Sequence, residues 1–122
     1  NEFDCSDGKQ FRDFLYIDDL IDGIIKVLKK KKLSGEIINI GYGKPSKVKE
    51  VILNISKIVG LGKPKFGAIR LRKDEILKLY PKNTKAKKLL NWKPKINLNL
   101  GLKKTVNYYK MNYLKFNQKI RK

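Results

Sequence analysis

Apolar residues recur at helical spacing in four separate segments of this 122-residue chain, and that pattern limits its possible folds more than any other feature. The predicted helices cover about residues 19–28, 46–59, 84–90 and 97–113. Between them, only short stretches have the composition of β-strands. Because so few short strands do not form a stable sheet by themselves, the sequence predicts an α/β fold that is part of a larger structure.

The ends of the predicted helices carry typical signals. Asp18, Asp19 and Asp22 lie at the start of the first helix, where carboxylates cap free N–H groups and suit the helix dipole. The same three carboxylates could hold a cation, but N-capping is the favoured interpretation. The predicted signals of the other helices are Ser46 as an N-cap, Gly60 as a stop, Thr84 as a start and Asn97 as an N-cap.

Three stretches are predicted to be extended. Residues 36–41, Glu-Ile-Ile-Asn-Ile-Gly, are predicted to form a short, largely buried strand of a parallel sheet. The chain from Phe11 is expected to lead as a strand into the first helix, and residues 66–71 also have an extended pattern. Residues 73–79 are predicted to form either a short helix or an irregular turn, which Pro81 ends.

The formal net charge of +19 raises the question of a nucleic-acid partner. Residues 1–22 hold seven carboxylates against Lys9 and Arg12, so the excess of positive charge lies in the rest of the chain. The lysines are spread along every segment, and the chain is also rich in Asn and Ile, as an AT-rich coding sequence would produce. A solvated lysine surface is therefore favoured, and a polyanion-binding face is the alternative.

There are two alternative functions. One is a small basic nucleic-acid-binding module, with Tyr108, Tyr109, Tyr113 and Phe116 as stacking residues, and the other is a non-catalytic interaction fragment such as a disrupted gene would encode. Tyr109 and Tyr113 fall on the apolar stripe of the last helix, however, and are predicted to be in the core. Nucleic acid is therefore the less favoured partner.

Several kinds of site are excluded by composition. The chain has no histidine and one cysteine, Cys5, so it has no His-based triad, no His metal site and no internal disulfide. The loop Gly41-Tyr-Gly43 has Ser46 where a dinucleotide-binding fingerprint needs its third glycine, and it is predicted to be a turn. The single cysteine and the lack of a membrane-length apolar run predict a cytoplasmic protein without membrane contact.

Arginine is rare in this chain: of thirty basic residues, only Arg12, Arg70, Arg72 and Arg121 are arginine. The guanidinium group forms paired, directional hydrogen bonds to phosphate or carboxylate, which lysine does not copy. If folding brings Arg12 to Arg70 and Arg72, they would clamp a diphosphate. The alternative, which spacing alone leaves equally open, is a set of internal ion pairs, Arg12 with Asp13, Asp18 or Asp19, and Arg72 with Asp74 or Glu75.

Three blocks of sequence together carry a family resemblance: SDGKQFRDFLYIDDLIDGI, EIINIGYGKP and RLRKDEILKLYPKNTKAKKLLNWKPKINLNLGLKKTVNYY. They resemble the C-terminal part of extended short-chain dehydrogenase/reductases that act on nucleotide sugars, the NAD-dependent epimerase/dehydratase family, which includes UDP-glucose 4-epimerase. The likeness covers about residues 4–113. It implies that residues 1–122 form a single, helix-rich C-terminal substrate-binding lobe, packed in the parent on an N-terminal Rossmann domain. The Lys- and Asn-rich tail, residues 114–122, is expected to fray.

The resemblance also implies roles for individual residues. Arg12 matches the arginine that contacts the nucleotide-sugar pyrophosphate, and Arg72 matches a second arginine with the same task. Glu75, three residues further, matches the acid that holds the ribose. The family more often has Gly-Asp at positions 74 and 75, so Asp74 is a second candidate, and Arg70 is a substitute for Arg72 if the register slips. None of these residues is assigned a catalytic role.

The redox machinery of that family is missing from this sequence. Neither its glycine-rich NAD loop nor its Tyr-x-x-x-Lys pair occurs, so NAD(P) is expected in the full-length parent and not on this chain alone, which should be inactive. Asn1 as first residue and Met111 as the one methionine agree with a piece of a longer protein. The expected partners are a nucleoside-diphosphate sugar and the missing domain, with a homodimer left open. Trp92 is expected to be a packing anchor.

Overall fold

The computed structural model describes the backbone of residues 1–120 and the side chains of residues 1–113. This part of the chain forms four helices and five short strands. In chain order they are β1 (Glu2–Cys5), β2 (Phe11–Arg12), α1 (Ile17–Lys29), β3 (Ser46–Lys47), α2 (Val48–Val59), β4 (Lys63–Phe66), β5 (Lys78–Leu79), α3 (Thr84–Leu90) and α4 (Leu98–Ile120).

Strand β2 lies at the centre of a three-stranded sheet. It pairs antiparallel with β3, where Arg12 lies opposite Ser46, and parallel with β5, where Arg12 lies opposite Leu79. Strands β1 and β4 form a separate parallel pair. Three segments that are far apart in sequence therefore meet around Arg12.

Helix α1 forms where the apolar period predicts it, with carboxylates in its first turn and lysines in its last. The predicted capping is wrong: the N-cap is Tyr16, and no side chain makes a cap hydrogen bond. Asp19 is instead 3% exposed, and its Oδ2 accepts hydrogen bonds from the N–H groups of Lys95 (3.0 Å) and Ile96 (2.9 Å). This carboxylate fastens the segment that leads into α4 to the first turn of α1.

The other helix ends agree with the sequence in three cases and differ in one. Gly60 ends α2 with φ of 78°, in the left-handed region that favours glycine. Asn97 caps α4, because its Oδ1 accepts a hydrogen bond from Leu100 N–H at 2.9 Å. Helix α3 begins at Thr84 as predicted. Ser46, however, is paired in β3 and does not cap α2, whose N-cap is Lys47.

The strand predicted at residues 36–41 is not formed. Within residues 1–120 no strand pairs with this segment, although its side chains alternate as in a strand. Ile38 and Ile40 pack against the core, while Ile37 is 83% exposed. The prediction was wrong because an apolar run indicates a strand only where a neighbouring strand lies within hydrogen-bonding reach.

The extended segment predicted at residues 66–71 is shifted. Strand β4 ends at Phe66, and the chain turns at Gly67, whose φ is 82°. Of residues 73–79, the first five form the irregular turn, and not the short helix, and the last two are β5. This turn brings the acidic pair at 74 and 75 back toward β2.

The core is small and centres on Trp92. Trp92 is 2% exposed, and it clusters with Ala86 and Leu90 of α3. Its indole N–H donates a hydrogen bond to the carbonyl oxygen of Asp19 at 3.1 Å, which satisfies the buried polar atom. Trp92 is therefore the packing anchor that was predicted. The side chains that pack around this cluster are Leu15, Val27, Leu33, Ile38, Ile40 and Leu89.

Tyr109 and Tyr113 are not in the core, contrary to the prediction from the apolar stripe of α4. Each is 67% exposed. Their rings border an open groove of about 1120 Å³ between α2 and α4, which Ile55 and Val59 line from the other side. Val106 of the same stripe is buried, whereas the two tyrosines further along α4 border the open groove.

Two expectations concern the chain as a whole. None of the helices among the described residues combines the length and the apolar character needed to cross a membrane. The frayed tail predicted at residues 114–122 is untested: α4 includes the backbone of residues 114–120, their side chains lie outside the description, and residues 121 and 122 lie outside it altogether.

Candidate functional site

The guanidinium group of Arg12 lies against the turn that precedes β5. Its Nη2 donates to Oε1 of Glu75, and its Nη1 donates to the carbonyl oxygens of Ile76 and Phe11, each at 2.8 Å. The Arg12 and Glu75 side chains are 28% and 22% exposed. A half-buried ion pair thus joins two residues that are 63 positions apart in the chain.

Arg12 forms an internal ion pair, but its partner is not one of the residues that spacing suggested. Neither Asp13, Asp18 nor Asp19 is the partner of Arg12; the partner is Glu75. Among the described side chains, Arg72 makes no ion pair with Asp74 or Glu75, and it is exposed. The backbone of Arg72 does take part, because its carbonyl oxygen accepts a hydrogen bond from Glu75 N–H at 3.2 Å.

The structure therefore brings some of the candidate residues together and leaves others at the surface. Arg12, Glu75 and the backbone of Arg72 form one cluster. Asp74 and Arg70 are both exposed, and neither contacts Arg12 through a hydrogen bond among the described residues. Of the two acids, Glu75 is the one that faces Arg12.

Asp13, whose predicted role was only that of a possible ion-pair partner, has another function in this region. Its Oδ1 accepts a hydrogen bond from Tyr42 N–H (2.7 Å), and its Oδ2 accepts one from Gly43 N–H (2.6 Å). Arg12 and Asp13 thus fix two different loops from adjacent positions. A side chain that bonds to backbone some 30 residues away leaves no signature in the sequence, so only the neighbouring glycines could have hinted at it.

The glycine loop is held from both sides. A Cβ on Gly41 would overlap Cγ of Pro81, so no larger residue fits there without a shift. Asn83 donates through Nδ2 to the carbonyl oxygens of Gly41 (3.2 Å) and Tyr42 (3.4 Å). Because the N–H groups of residues 42 and 43 already bond to Asp13, the loop is the structural turn that was predicted and does not offer a phosphate cradle.

Positive charge predominates near the candidate site. Residues 70–78, which include Glu75, carry four exposed cations and two carboxylates. Their net positive charge attracts anionic ligands. No cluster of three or more metal-ligating residues occurs among the described residues. The exposed cations of this segment are Arg70, Arg72, Lys73 and Lys78.

The arrangement suits binding and positioning. A guanidinium group next to a carboxylate can recognise a phosphate together with a hydroxyl pair, since one group donates and the other accepts. Cys5 is buried in β1, with its Sγ directed at the carbonyl oxygen of Phe3 at 3.8 Å, and lies apart from this cluster in the other sheet.

We expect Asp13→Ala to loosen the glycine loop, because it removes the acceptor of two backbone N–H groups. Water can reach this half-buried place, so the loss of stability should be modest, about 1–2 kcal/mol. Amide hydrogen exchange at Tyr42 and Gly43 should become faster. Asp18→Asn, a change at an exposed carboxylate, serves as the control, and equal exchange in both variants would contradict the role given to Asp13.

The family of this chain follows from its similarity to known proteins. The model of the GDP-mannose 4,6 dehydratase family matches residues 1–105. The chain belongs to this family. The resemblance inferred from the Arg12 block, the glycine loop and the Trp92 block is confirmed, and so is the α/β fold class of a helix-rich lobe with short strands.

Individual relatives of the chain show how much of it is shared. A UDP-glucuronate 4-epimerase of Thermodesulfobacterium geofontis is 43% identical over 107 residues, which are 87% of this chain and 32% of the relative. The structure of UDP-glucose 4-epimerase from Thermotoga maritima with UDP-glucose matches with a TM-score of 0.82 and 31% identity, over 93% of this chain and 36% of that one.

A third relative was solved with both a nucleotide sugar and a dinucleotide. It is UDP-glucuronic acid 4-epimerase from Bacillus cereus in complex with UDP-glucuronic acid and NAD, with a TM-score of 0.78 and 34% identity over 88% of this chain and 34% of that one. The chain thus spans about a third of the length of the relatives that it matches.

Proposed function

We propose that this chain is the nucleoside-diphosphate-sugar-binding portion of a nucleotide-sugar epimerase, dehydratase or reductase. Arg12 and Arg72 grip the pyrophosphate, and Glu75 holds the ribose. The observation that carries the proposal is the contact between Arg12 and Glu75, two residues that the chain brings together over 63 positions. Family membership supports the substrate class, because the relatives include enzymes solved with UDP-glucose and UDP-glucuronic acid.

The geometry supports Glu75 over Asp74 as the ribose acid, since only Glu75 faces the guanidinium group. It supports Arg72 over Arg70, because the turn that bonds Glu75 N–H to the carbonyl oxygen of Arg72 keeps these two residues adjacent. The Arg72 side chain is exposed, so it is accessible to a ligand.

The work of this portion is positioning. Charge-assisted hydrogen bonds from two arginines would fix the diphosphate, and the sugar would then be held at a defined place relative to the rest of the complete protein. NAD(P) belongs to that remainder: the glycine loop here has its N–H groups bonded to Asp13 and does not fit a dinucleotide. We therefore assign no redox step to residues 1–122.

We expect Arg12→Lys in the complete protein to weaken binding of UDP by about tenfold to a hundredfold. Lysine keeps the charge but loses the fork, and one charge-assisted hydrogen bond contributes about 1.5–3 kcal/mol. Calorimetric titration with UDP measures the change. Arg72→Lys should weaken binding in the same direction, while Arg70→Lys should change it little.

An unchanged affinity in Arg12→Lys, with a melting temperature equal to that of the parent protein, would contradict the proposed function. A loss in Arg70→Lys as large as that in Arg12→Lys would instead move the second arm of the clamp from Arg72 to Arg70. Each variant keeps the net charge, so nonspecific electrostatic attraction is constant across the series.

Nucleic-acid binding is the second candidate function, and one observation favours it. Tyr109 and Tyr113 are exposed, so the argument that had placed them in the core no longer excludes them as stacking residues. Family membership outweighs this observation. Titration with a random DNA duplex at increasing salt distinguishes the two, because tight binding that persists at physiological ionic strength and falls steeply with salt would favour the nucleic-acid function.

A further inference from the structure

The open groove between α2 and α4 shares no residue with the Arg12 cluster, and the proposed function does not use it. Its volume is about 1120 Å³, and its walls include Ile55 and Val59 of α2 and Val106 and Tyr109 of α4. Tyr109 is 67% exposed. Because folded proteins seldom leave large apolar surfaces open to solvent, we expect the groove to have an occupant in the complete protein.

The chemistry of the groove indicates an apolar occupant. Two of its polar side chains bond within α4: Thr105 Oγ1 donates to the carbonyl oxygen of Gly101, and Asn112 Nδ2 donates to that of Tyr108, each at 2.9 Å. Lys110 is the one charged residue among those that line the described part of the groove. The apolar face of a helix therefore suits this surface better than a polar ligand does.

The first residues of the chain lie at one end of the groove. Leu61 lines the groove, and two residues later the N–H of Lys63 donates to the carbonyl oxygen of Asn1 at 3.0 Å. Strands β1 and β4 are parallel, so the chain enters both of them from the same edge. Helix α2 lies directly before β4 on that edge. The chain that enters β1 in the complete protein therefore arrives beside the C-terminal end of α2.

We infer that the segment N-terminal to residue 1 in the complete protein forms a helix that packs in this groove, against α2 and α4. The relatives have room for such a segment, since this chain spans about a third of their length and resembles their C-terminal part. From Leu102 to Tyr113 the groove follows α4 for about 16 Å, which is the length of a helix of about 11 residues.

Covalent connection favours this segment over other occupants. Because it is joined to β1, its effective concentration at the groove exceeds that of a separate molecule, a second copy of the chain included. Helix α2, helix α4 and the added helix then enclose a second apolar core, apart from the cluster around Trp92. Tyr109 and Tyr113 contact the added helix in this arrangement and not solvent.

The first test needs no substitution. It measures the nitration of Tyr109 and Tyr113 by tetranitromethane in the complete protein, with mass spectrometry as the readout. If a helix covers the groove, both side chains should react about tenfold more slowly in the folded protein than in the protein unfolded in urea. Side chains that keep the 67% exposure seen here would react at nearly the unfolded rate, and the inference would then be wrong.

The second test identifies the occupant by photo-cross-linking of the complete protein, with p-benzoylphenylalanine in place of Tyr109. We expect a link within the same chain, to a peptide in the roughly 20 residues before residue 1, because a helix of the groove's length and a short turn need no more. Leu53 is the control position: it is a 47% exposed apolar residue of α2 that is not among the residues lining the groove. The same probe at Leu53 should not link to that segment.

The other outcomes overturn the inference. A link from position 109 to a second chain would make the groove a dimer interface, and a link to a more distant part of the same chain would assign it to another element. No link at all would mean that the groove is open or holds a small molecule. A link to the same segment from position 53 would show that the probe does not report on the groove. The proposed function does not depend on any of these results.

Discussion

Trp92→Ala is expected to destabilise the chain by about 3–5 kcal/mol, which is a large share of the 5–15 kcal/mol that typically separates folded from unfolded proteins. Trp92 is 2% exposed, and it contacts side chains from both α1 and α3 through the cluster around it. Truncation removes the buried apolar surface and leaves a cavity that α1 and α3 cannot close without moving. The indole hydrogen bond to Asp19 is lost as well.

The size of this effect can be separated into packing and hydrogen bonding. Trp92→Phe keeps most of the apolar volume but loses the N–H donor, so it should cost about 1–2 kcal/mol. Tyr108→Ala is the control for removal of an aromatic residue, because Tyr108 is 62% exposed and should change stability by no more than about 0.5 kcal/mol. Urea unfolding followed by far-UV circular dichroism measures all three. If Trp92→Ala and Tyr108→Ala unfolded at the same urea concentration, the assignment of Trp92 as the packing anchor would be contradicted.

The elements predicted well are those whose signals are local. Gly60 and Asn97 mark helix ends through their own backbone geometry or a bond three residues away, and both predictions are confirmed. The apolar period of α1 required only its own residues. Trp92 was predicted to be an anchor from a resemblance, and its burial confirms that role.

The elements predicted poorly depend on partners far away in the chain. The segment 36–41 has the composition of a buried strand, but whether it pairs depends on a neighbour that its own residues do not specify. Tyr109 lies on the correct stripe of α4, and its exposure depends on where α2 stops covering that helix. Asp19 has a typical position for a cap, and its carboxylate is nevertheless used by residues 95 and 96.

In the candidate site, too, the features with local signals were predicted and those that depend on distant residues were not. The rarity of arginine singled out Arg12, and the resemblance singled out Glu75, but spacing alone could not show that they touch. That contact requires β2 to lie beside β5, which is a property of the sheet. The role of Asp13 was not predicted for the same reason, since its two hydrogen bonds reach a loop on another part of the chain.

Asp19→Ala is expected to cost about 3 kcal/mol or more, because it leaves the N–H groups of Lys95 and Ile96 without the ionised acceptor that they share. Both bonds go to one oxygen, Oδ2, and Asp19 is 3% exposed, so water cannot easily replace it. The segment between Trp92 and α4 should then detach from α1. The fluorescence of Trp92, the one tryptophan in the chain, reports this directly, since its indole bonds to the carbonyl of residue 19.

The matched variant is Asp19→Asn, in which the amide oxygen can still accept both hydrogen bonds from the same position. Only the charge assistance is lost, so we expect a cost of about 1 kcal/mol and a tryptophan spectrum close to that of the parent chain. If Asp19 acted only through the helix dipole, Asn and Ala would differ by a few tenths of a kcal/mol and neither would change the emission of Trp92. If both N–H groups share the Asp19 acceptor, the free energies of unfolding of Asp19→Asn and Asp19→Ala should differ by about 2 kcal/mol. The emission of Trp92 should then shift in Asp19→Ala only.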